Sequence, residues 1–440
     1  MLQSTHVSVE RPVTICIIGA GNRGSVYANF ALKNPHLMKV VAVASPTEFR
    51  RFNLAKRHDI PPENVFSNWK ELAMRPRVAD AVIITNLDSL HYRSALAFIE
   101  KGYHFMLENP PPLNLEECLS LVNAATRYNV IFMVGHPERH SSYNRTMKRL
   151  IDSGAIGEVM SIQHMEPIGF YHFRPSFSRS GMKKRENSLS LMAKNIHDID
   201  LISWFMGTKC RRVSSFGNLY KVYKGKNFQI RNSVRCRQCP HEQECSYLAK
   251  QMYLDTSPWS EGHRATSPVD EIESLASSYD SRDDTYSDNE IGDSCDNQVI
   301  NMEFDGGKTC NFTMVVCTES MCERKIRIFG TLGELEADGH VVRHFDFLTR
   351  RSEIIRPDRD DEHEDDTLNS GDYGVIRFFL ECVALFDSQG RVFCEPQDVL
   401  ENHLYVLAAE HARNTGSVVN IDDFRRDSIG DTDYFMDISV

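Results

Sequence analysis

A chain of 440 residues is too long for one ordinary domain, so two domains sharing a cleft are expected. With 41% hydrophobic and 25% charged residues it has the composition of a globular protein with a large core, and a formal charge of −11 argues against a general nucleic-acid-binding role. No apolar run is long enough to span a bilayer and Met1–Pro12 lacks the apolar core of a signal peptide, so the expected location is cytoplasmic, with no membrane partner and with the 12 cysteines as thiols or ligands.

The first predicted element is Val13–Ile18, a short β-branched run that reads as a buried parallel strand. Gly19-Ala20-Gly21-Asn22-Arg23-Gly24 follows it, and a helix is expected from Ser25 to about Lys33. Val40–Ala44, Ala81–Thr85, Phe105–Glu108 and Ile131–Val134 are further strands, with helices over Ser94–Lys101 and Leu115–Tyr128. This alternation predicts an α/β fold, a doubly wound parallel sheet of Rossmann type over residues 13–140, preceded by a tail at 1–12. Past about residue 140 the pattern changes. A helix over Ser141–Ser153 precedes alternating strands at Val159–Met165, Cys210–Phe216, Val299–Phe304, Cys310–Thr318 and Lys325–Phe329. An α+β domain with an open, mostly antiparallel sheet is expected over 141–425, with a C-terminal tail at 426–440. Irregular acidic loops are expected near 257–294 and 358–366.

The glycine-rich loop has the G-x-G-x-x-G spacing directly after a strand and at the start of a helix, the context in which it binds a dinucleotide. The first glycine permits a tight turn, the second lets backbone approach a pyrophosphate, and the third lets helix pack on strand. The helix N-terminus then offers free N–H groups to the phosphates. An acid normally ends the second strand and binds the ribose; here that position is Ser45, with Arg50 and Arg51 just beyond. That pattern suits a 2′-phosphate, so NADP is favoured slightly over NAD.

Met192, Ile196, Ile199, Ile202 and Met206 recur at steps of three and four, and Gly207 supplies a stop. On this helix Lys194, His197 and Asp200 form a row at spacing three, and a histidine near a lysine and a carboxylate can relay a proton at neutral pH. Cys236, Cys239 and Cys245 have part of a zinc-ligand spacing, which His241 or Cys210 would complete; loop thiols are the alternative.

Several segments together resemble the glucose–fructose oxidoreductase / inositol dehydrogenase (Gfo/Idh/MocA) family. Thr85-Asn86-Leu87-Asp88-Ser89-Leu90-His91 is similar to its third-strand motif. Leu107-Glu108-Asn109-Pro110 stands where the family has Glu-Lys-Pro, and Ile196-His197-Asp198-Ile199-Asp200 resembles its catalytic histidine segment. Asp372-Tyr373-Gly374 and Ala408–Arg413 resemble its C-terminal helices, and a Lys-x-x-His-Asp-x-Asp helix followed by C-x-x-C-P marks a subgroup. The resemblance implies NAD or NADP held by Gly19, Ala20, Gly21, Asn22, Arg23, Gly24, Ser45 and Arg50, with Thr85, His91 and Glu108 along the same rim. It implies hydride exchange between the nicotinamide and a carbinol or ketone carbon of a sugar- or cyclitol-like substrate, in a homodimer or higher homo-oligomer. His197 would be the base, Lys194 would polarise the oxygen and Asp200 would orient the pair.

The sequence departs from the family at its chemistry. The lysine of Glu-Lys-Pro is Asn109, which donates a hydrogen bond but cannot shuttle a proton, and the acid four residues before the histidine is Ala193. Two readings therefore stay open: a dehydrogenase acting on CH–OH groups, and a cofactor-binding sensor or scaffold without turnover.

Overall fold

The structure, a computed structural model, describes residues 11–169, 195–218, 295–320, 322–357, 370–389 and 396–429. The β-branched runs form one parallel sheet. Its strands are β1 (Val13–Ile18), β2 (Met38–Ala44), β3 (Val65–Phe66), β4 (Ala81–Ile84), β5 (His104–Leu107) and β6 (Phe132–Val134). They lie in the order β3-β2-β1-β4-β5-β6, each neighbouring pair parallel. The winding reverses beside β1, which opens a crevice past the carboxyl ends of β1 and β4. The connections include α1 (Asn22–Lys33), α2 (Glu48–Arg57), α3 (Trp69–Met74), α4 (His91–Ile99) and α5 (Leu115–Arg127). Helices on both faces explain why all four residues of β4 are buried, with no alternation.

After α6 (Ser142–Asp152) the chain builds a second sheet. Its strands are β7 (Val159–Pro167), β8 (Cys210–Asn218), β9 (Asn297–Phe304), β10 (Thr309–Val315), β11 (Lys325–Gly330), β12 (Gly333–Ala337), β13 (Val342–Asp346), β14 (Arg351–Ile355) and β15 (Val419–Asn420). Their order is β14-β13-β12-β11-β7-β10-β9-β8-β15, and only the β7–β10 pair is parallel. The expected α/β half and mostly antiparallel half are both present. β12, β13 and β14 were not foreseen. In β14 four of five residues are exposed, so a sequence pattern with one buried face never develops.

Among the described residues, α7 (Ile196–Met206) and α9 (Pro396–Thr415) pack on one face of this sheet, where Ile300, Met302, Phe304, Phe312 and Met314 are buried. The other face leaves Met160 and Phe216 exposed. The helix α8 (Ser370–Gln389) lies late in the chain yet completes the core of the first half. Its Tyr373, Val375, Ile376 and Phe379 join Val26 and Phe30 of α1, with the Phe30 and Tyr373 rings 5.4 Å apart. α10 (Ile421–Ile429) ends the described chain. No described helix is long and apolar enough to cross a membrane.

Candidate active site

The glycine loop is built as its spacing requires. Gly19 has φ +100°, where L side chains are strained, and a Cβ there would meet the Thr85 carbonyl oxygen at 2.6 Å. At Gly24 a Cβ would sit 1.9 Å from the Gly19 carbonyl oxygen, so α1 packs this closely on β1 only with glycine. Gly21 differs. Its backbone is extended (φ −76°, ψ −166°), open to any residue, and a Cβ would meet nothing nearer than the Arg50 guanidinium at 3.9 Å. No neighbouring atom among the described residues therefore demands glycine there. The space suits a group from outside the chain, and a pyrophosphate fits it. α1 begins there with no side-chain cap and no acid in its first turn, so its N–H groups and dipole stay available to an anion.

The other residues expected around the cofactor divide in two. Ser45 is buried at the end of β2, its carbonyl accepting from Arg51 at 2.7 Å, while Arg50 reaches over the glycine turn. Thr85, Arg23 and Glu108 are held in side-chain bonds that brace the turn and the end of β5. Thr85 Oγ1 donates to the Gly19 carbonyl at 2.7 Å and braces the turn. Arg23 bonds Glu108 at 2.9 Å and grips both carboxylate oxygens of Asp372 at 2.7 and 3.1 Å, while the Tyr27 hydroxyl donates to Glu108 at 2.5 Å. This ion cluster ties α1 to the end of β5 and to α8. His91 is buried at the start of α4, its ring bridging the carbonyls of Pro110 (2.8 Å) and Asn86 (3.1 Å). It holds the Asn109–Pro110 turn, whose peptide is cis, against the loop after β4.

Asn109 and His197 come together at the carboxyl end of β5. Asn109 Nδ2 lies 3.2 Å from His197 Nε2, and His197 Nδ1 lies 3.1 Å from His136 Nδ1. Asp200 is buried one turn along α7. It takes a two-point bond from Arg139 (2.6 and 2.6 Å) and a third bond from Asn402 at 2.7 Å. His136, rather than His197, stands next to this carboxylate, with Nε2 4.0 Å from Asp200 Oδ1. Behind the pair, Arg324 reaches Asp198 at 2.7 Å, Glu138 at 3.1 Å and Glu166 at 3.4 Å, and His164 bonds Asp198 at 2.8 Å.

Burial and its neighbours set the charges. Burial lowers His197 to about 3, helped by His136 and Arg324, and burial also lowers His136. Burial opposes ionisation of Asp200, but Arg139, His136 and His197 together outweigh it and keep the carboxyl below the usual range. Burial likewise holds His140 near 3 and His403 near 4. These folded values lie below an unfolded histidine at about 6.5. As pH falls below about 6.5 the unfolded chain takes up protons that the folded chain refuses, so stability falls, on the order of 1 kcal/mol per pH unit for each such ring. Denaturant midpoints should therefore drop between pH 7 and pH 5, before ordinary carboxylates titrate. A flat or rising midpoint over that window would show these rings to be protonated in the fold.

Lys194 and the cysteines at 236, 239 and 245, as well as Ala193, lie outside the described residues. Among the described residues no cluster of His, Cys, Asp or Glu is arranged to hold a metal ion. Cys210 is buried in β8, where burial pushes its thiol up to about 12. His136, Arg139, Arg324 and Asn402 belong to no motif of the sequence. Only the run Gly135-His136-Pro137-Glu138-Arg139, dense in polar groups just past a buried strand, signalled a site.

A Rossmann half with an open phosphate turn, joined to a mixed-sheet half that sets a half-buried histidine at the strand ends, defines a two-domain nucleotide-dependent oxidoreductase fold. The chain belongs to the Gfo/Idh/MocA oxidoreductase family: the domain described as "Oxidoreductase family, NAD-binding Rossmann fold" matches residues 13–136 and "Oxidoreductase family, C-terminal alpha/beta domain" matches 148–420. It is 28% identical over 207 residues to a 2,7-anhydro-N-acetylneuraminate hydratase of Mediterraneibacter gnavus, covering 47% of this chain and 53% of that one. It is 26% identical over 165 residues to scyllo-inositol 2-dehydrogenase (NADP(+)) IolW of Bacillus subtilis, covering 37% and 43%. The chain thus spans about half the length of the curated relatives it matches. A scyllo-inositol dehydrogenase of Lactobacillus casei, solved with NAD(H) and scyllo-inositol, shares the fold with TM-score 0.64 at 18% identity, over 94% of this chain and 100% of that one.

Proposed function

We propose that this protein is an NAD(P)-dependent oxidoreductase acting on a CH–OH group of a sugar- or cyclitol-like substrate. The observation that carries this reading is the pairing of His197 Nε2 with Asn109 Nδ2 at 3.2 Å, past the end of β5, where open α/β sheets bind their ligands. When bound, the nicotinamide supplies a hydride acceptor or donor. A substrate hydroxyl that replaces the direct Asn109–His197 hydrogen bond would give its proton to the neutral His197 and accept a hydrogen bond from Asn109. Asn109 thus binds the oxygen without exchanging a proton with it. Lys194, three residues before His197 in the sequence, is the proposed cation for that oxygen, and Asp200 orients the histidine at one remove. Relatives named for a cyclitol and for an anhydro sugar acid support this substrate class.

Gly19, Gly21, Gly24 and the N-terminus of α1 would hold the diphosphate. Arg50 beside the turn, together with Ser45 in place of an acid, supports NADP over NAD. The exposed face of the large sheet is the proposed contact between copies in a homodimer. A panel of sugars and cyclitols with either nucleotide, followed by absorbance, tests the activity; the reading fails if nothing in the panel turns over. Arg50→Ala should weaken NADPH binding roughly tenfold or more, the value of a lost charge-assisted hydrogen bond, and weaken NADH binding clearly less. Equal losses for the two nucleotides would remove the NADP preference.

A further inference from the structure

His136 is unexplained by any motif, yet it makes the contact on which the base depends. It follows β6, is 8% exposed, and meets His197 edge to face with ring centroids 5.3 Å apart at 86°. The two Nδ1 atoms are 3.1 Å apart. Two ring nitrogens at that distance share one hydrogen, so one ring donates and the other accepts. Burial keeps both rings neutral near pH 7, and each then carries a single N–H.

The far end of the row decides which ring donates. His136 Nε2 faces Asp200 Oδ1 at 4.0 Å, and that carboxylate is fixed by Arg139 and Asn402. An N–H turned toward an ionised carboxylate is attracted; a lone pair there is repelled. His136 therefore carries its hydrogen on Nε2 and presents a bare Nδ1. His197 must donate from Nδ1, which leaves its Nε2 bare. The near end agrees, because the atom 3.2 Å from His197 Nε2 is the Asn109 amide nitrogen, and an NH2 group pairs only with a bare nitrogen. The Asp200 end sets the direction whichever way the Asn109 amide is turned. Arg139 faces His136 and Arg324 faces His197, and each disfavours a charged ring, while Asp200 faces both rings and Asp198 faces His197 and favour one; burial decides for the neutral form.

We propose that His136 is a positioning residue that locks His197 in its Nδ1–H tautomer, so that Nε2 is the basic nitrogen on the substrate side. The proposal rests on the dehydrogenase reading of the site for its use, but the tautomer is a property of the cofactor-free protein.

Nitrogen-15 NMR of the full chain, labelled at histidine and assigned by difference with His197→Ala, reads it directly. The expected result at pH 7 is a protonated Nδ1 and a bare Nε2 on His197. In His136→Phe the acceptor is gone, and His197 should shift toward its Nε2–H form, with the Asn109 amide turned so that its oxygen accepts. His136→Asn restores a carbonyl oxygen near the lost Nδ1 and should keep the Nδ1–H form. In turnover, His136→Phe should lose on the order of 10²-fold in kcat with KM little changed, and His136→Asn should recover most of it, which a merely structural role would not produce. An Nε2–H His197 in the unaltered protein, or a tautomer indifferent to His136→Phe, overturns the proposal. If His136→Phe does not fold, the unaltered protein and His136→Asn still decide it. Absence of turnover on every substrate with the Nδ1–H form intact would overturn the dehydrogenase reading instead.

Discussion

Replacing Arg324 with Leu should lower the unfolding free energy by about 3–5 kcal/mol, the cost of removing one partner from a buried charge group. The side chain is 12% exposed and stands among Asp198 (0%), Glu166 (6%) and Glu138 (17%). Burial opposes ionisation of Asp198, yet Arg324 and then His164 hold its carboxyl well below the usual range. Without the guanidinium these carboxylates face one another across a dry interior where Coulomb repulsion is poorly screened. The effect should shrink in acid. A carboxyl with a depressed folded pKa gives its stabilisation above the unfolded value of about 3.9 and loses it as pH falls through the folded value. The contrast is Arg11, 62% exposed in its pair with Asp80, where Arg11→Ala should cost about 1 kcal/mol or less. Denaturant unfolding of the two variants checks both; similar small losses would mean that water reaches the Arg324 cluster.

His197→Ala should lower kcat by about 10²- to 10⁴-fold, the usual worth of a positioned base, while dinucleotide affinity and stability change little. Among the described residues the ring makes no ion pair with a carboxylate, and its close partners there are Asn109 and His136. Near pH 7 burial keeps it neutral, so the substitution removes no charge from the fold. The substitution therefore separates chemistry from architecture, as Asp200→Ala would not: that carboxylate anchors Arg139 and Asn402 across three segments. Unchanged kcat in His197→Ala would place the base elsewhere.

Much of the fold was legible because its signals are local. β1, β4 and β5 are short runs buried on both faces, and the glycine turn announces itself by spacing. The stop at Gly207, left-handed at φ +67°, is equally local. The packing of α8 on α1 was not legible, since an apolar face does not name its partner 340 residues away. Nor were the charge clusters: Arg23, Glu108 and Asp372, like Arg139, Asp200 and Asn402, meet only through tertiary folding. The row of Lys194, His197 and Asp200 was read as one working face. In the fold Asp200 meets His136 in place of His197, because the nearest carboxylate along a helix need not point at the nearest ring in the row.

The dinucleotide site is the premise of the whole account, and Gly21 isolates it. Fluorescence titration of NADPH and NADH against the unaltered chain and Gly21→Ala is the direct measurement. Among the described residues a Cβ at Gly21 meets no atom nearer than 3.9 Å, so the variant should melt with the unaltered protein. It should nonetheless bind either nucleotide at least about tenfold more weakly, because the methyl stands where backbone must approach the diphosphate. Failure of the unaltered chain to bind either nucleotide, or full affinity in Gly21→Ala, would contradict the account.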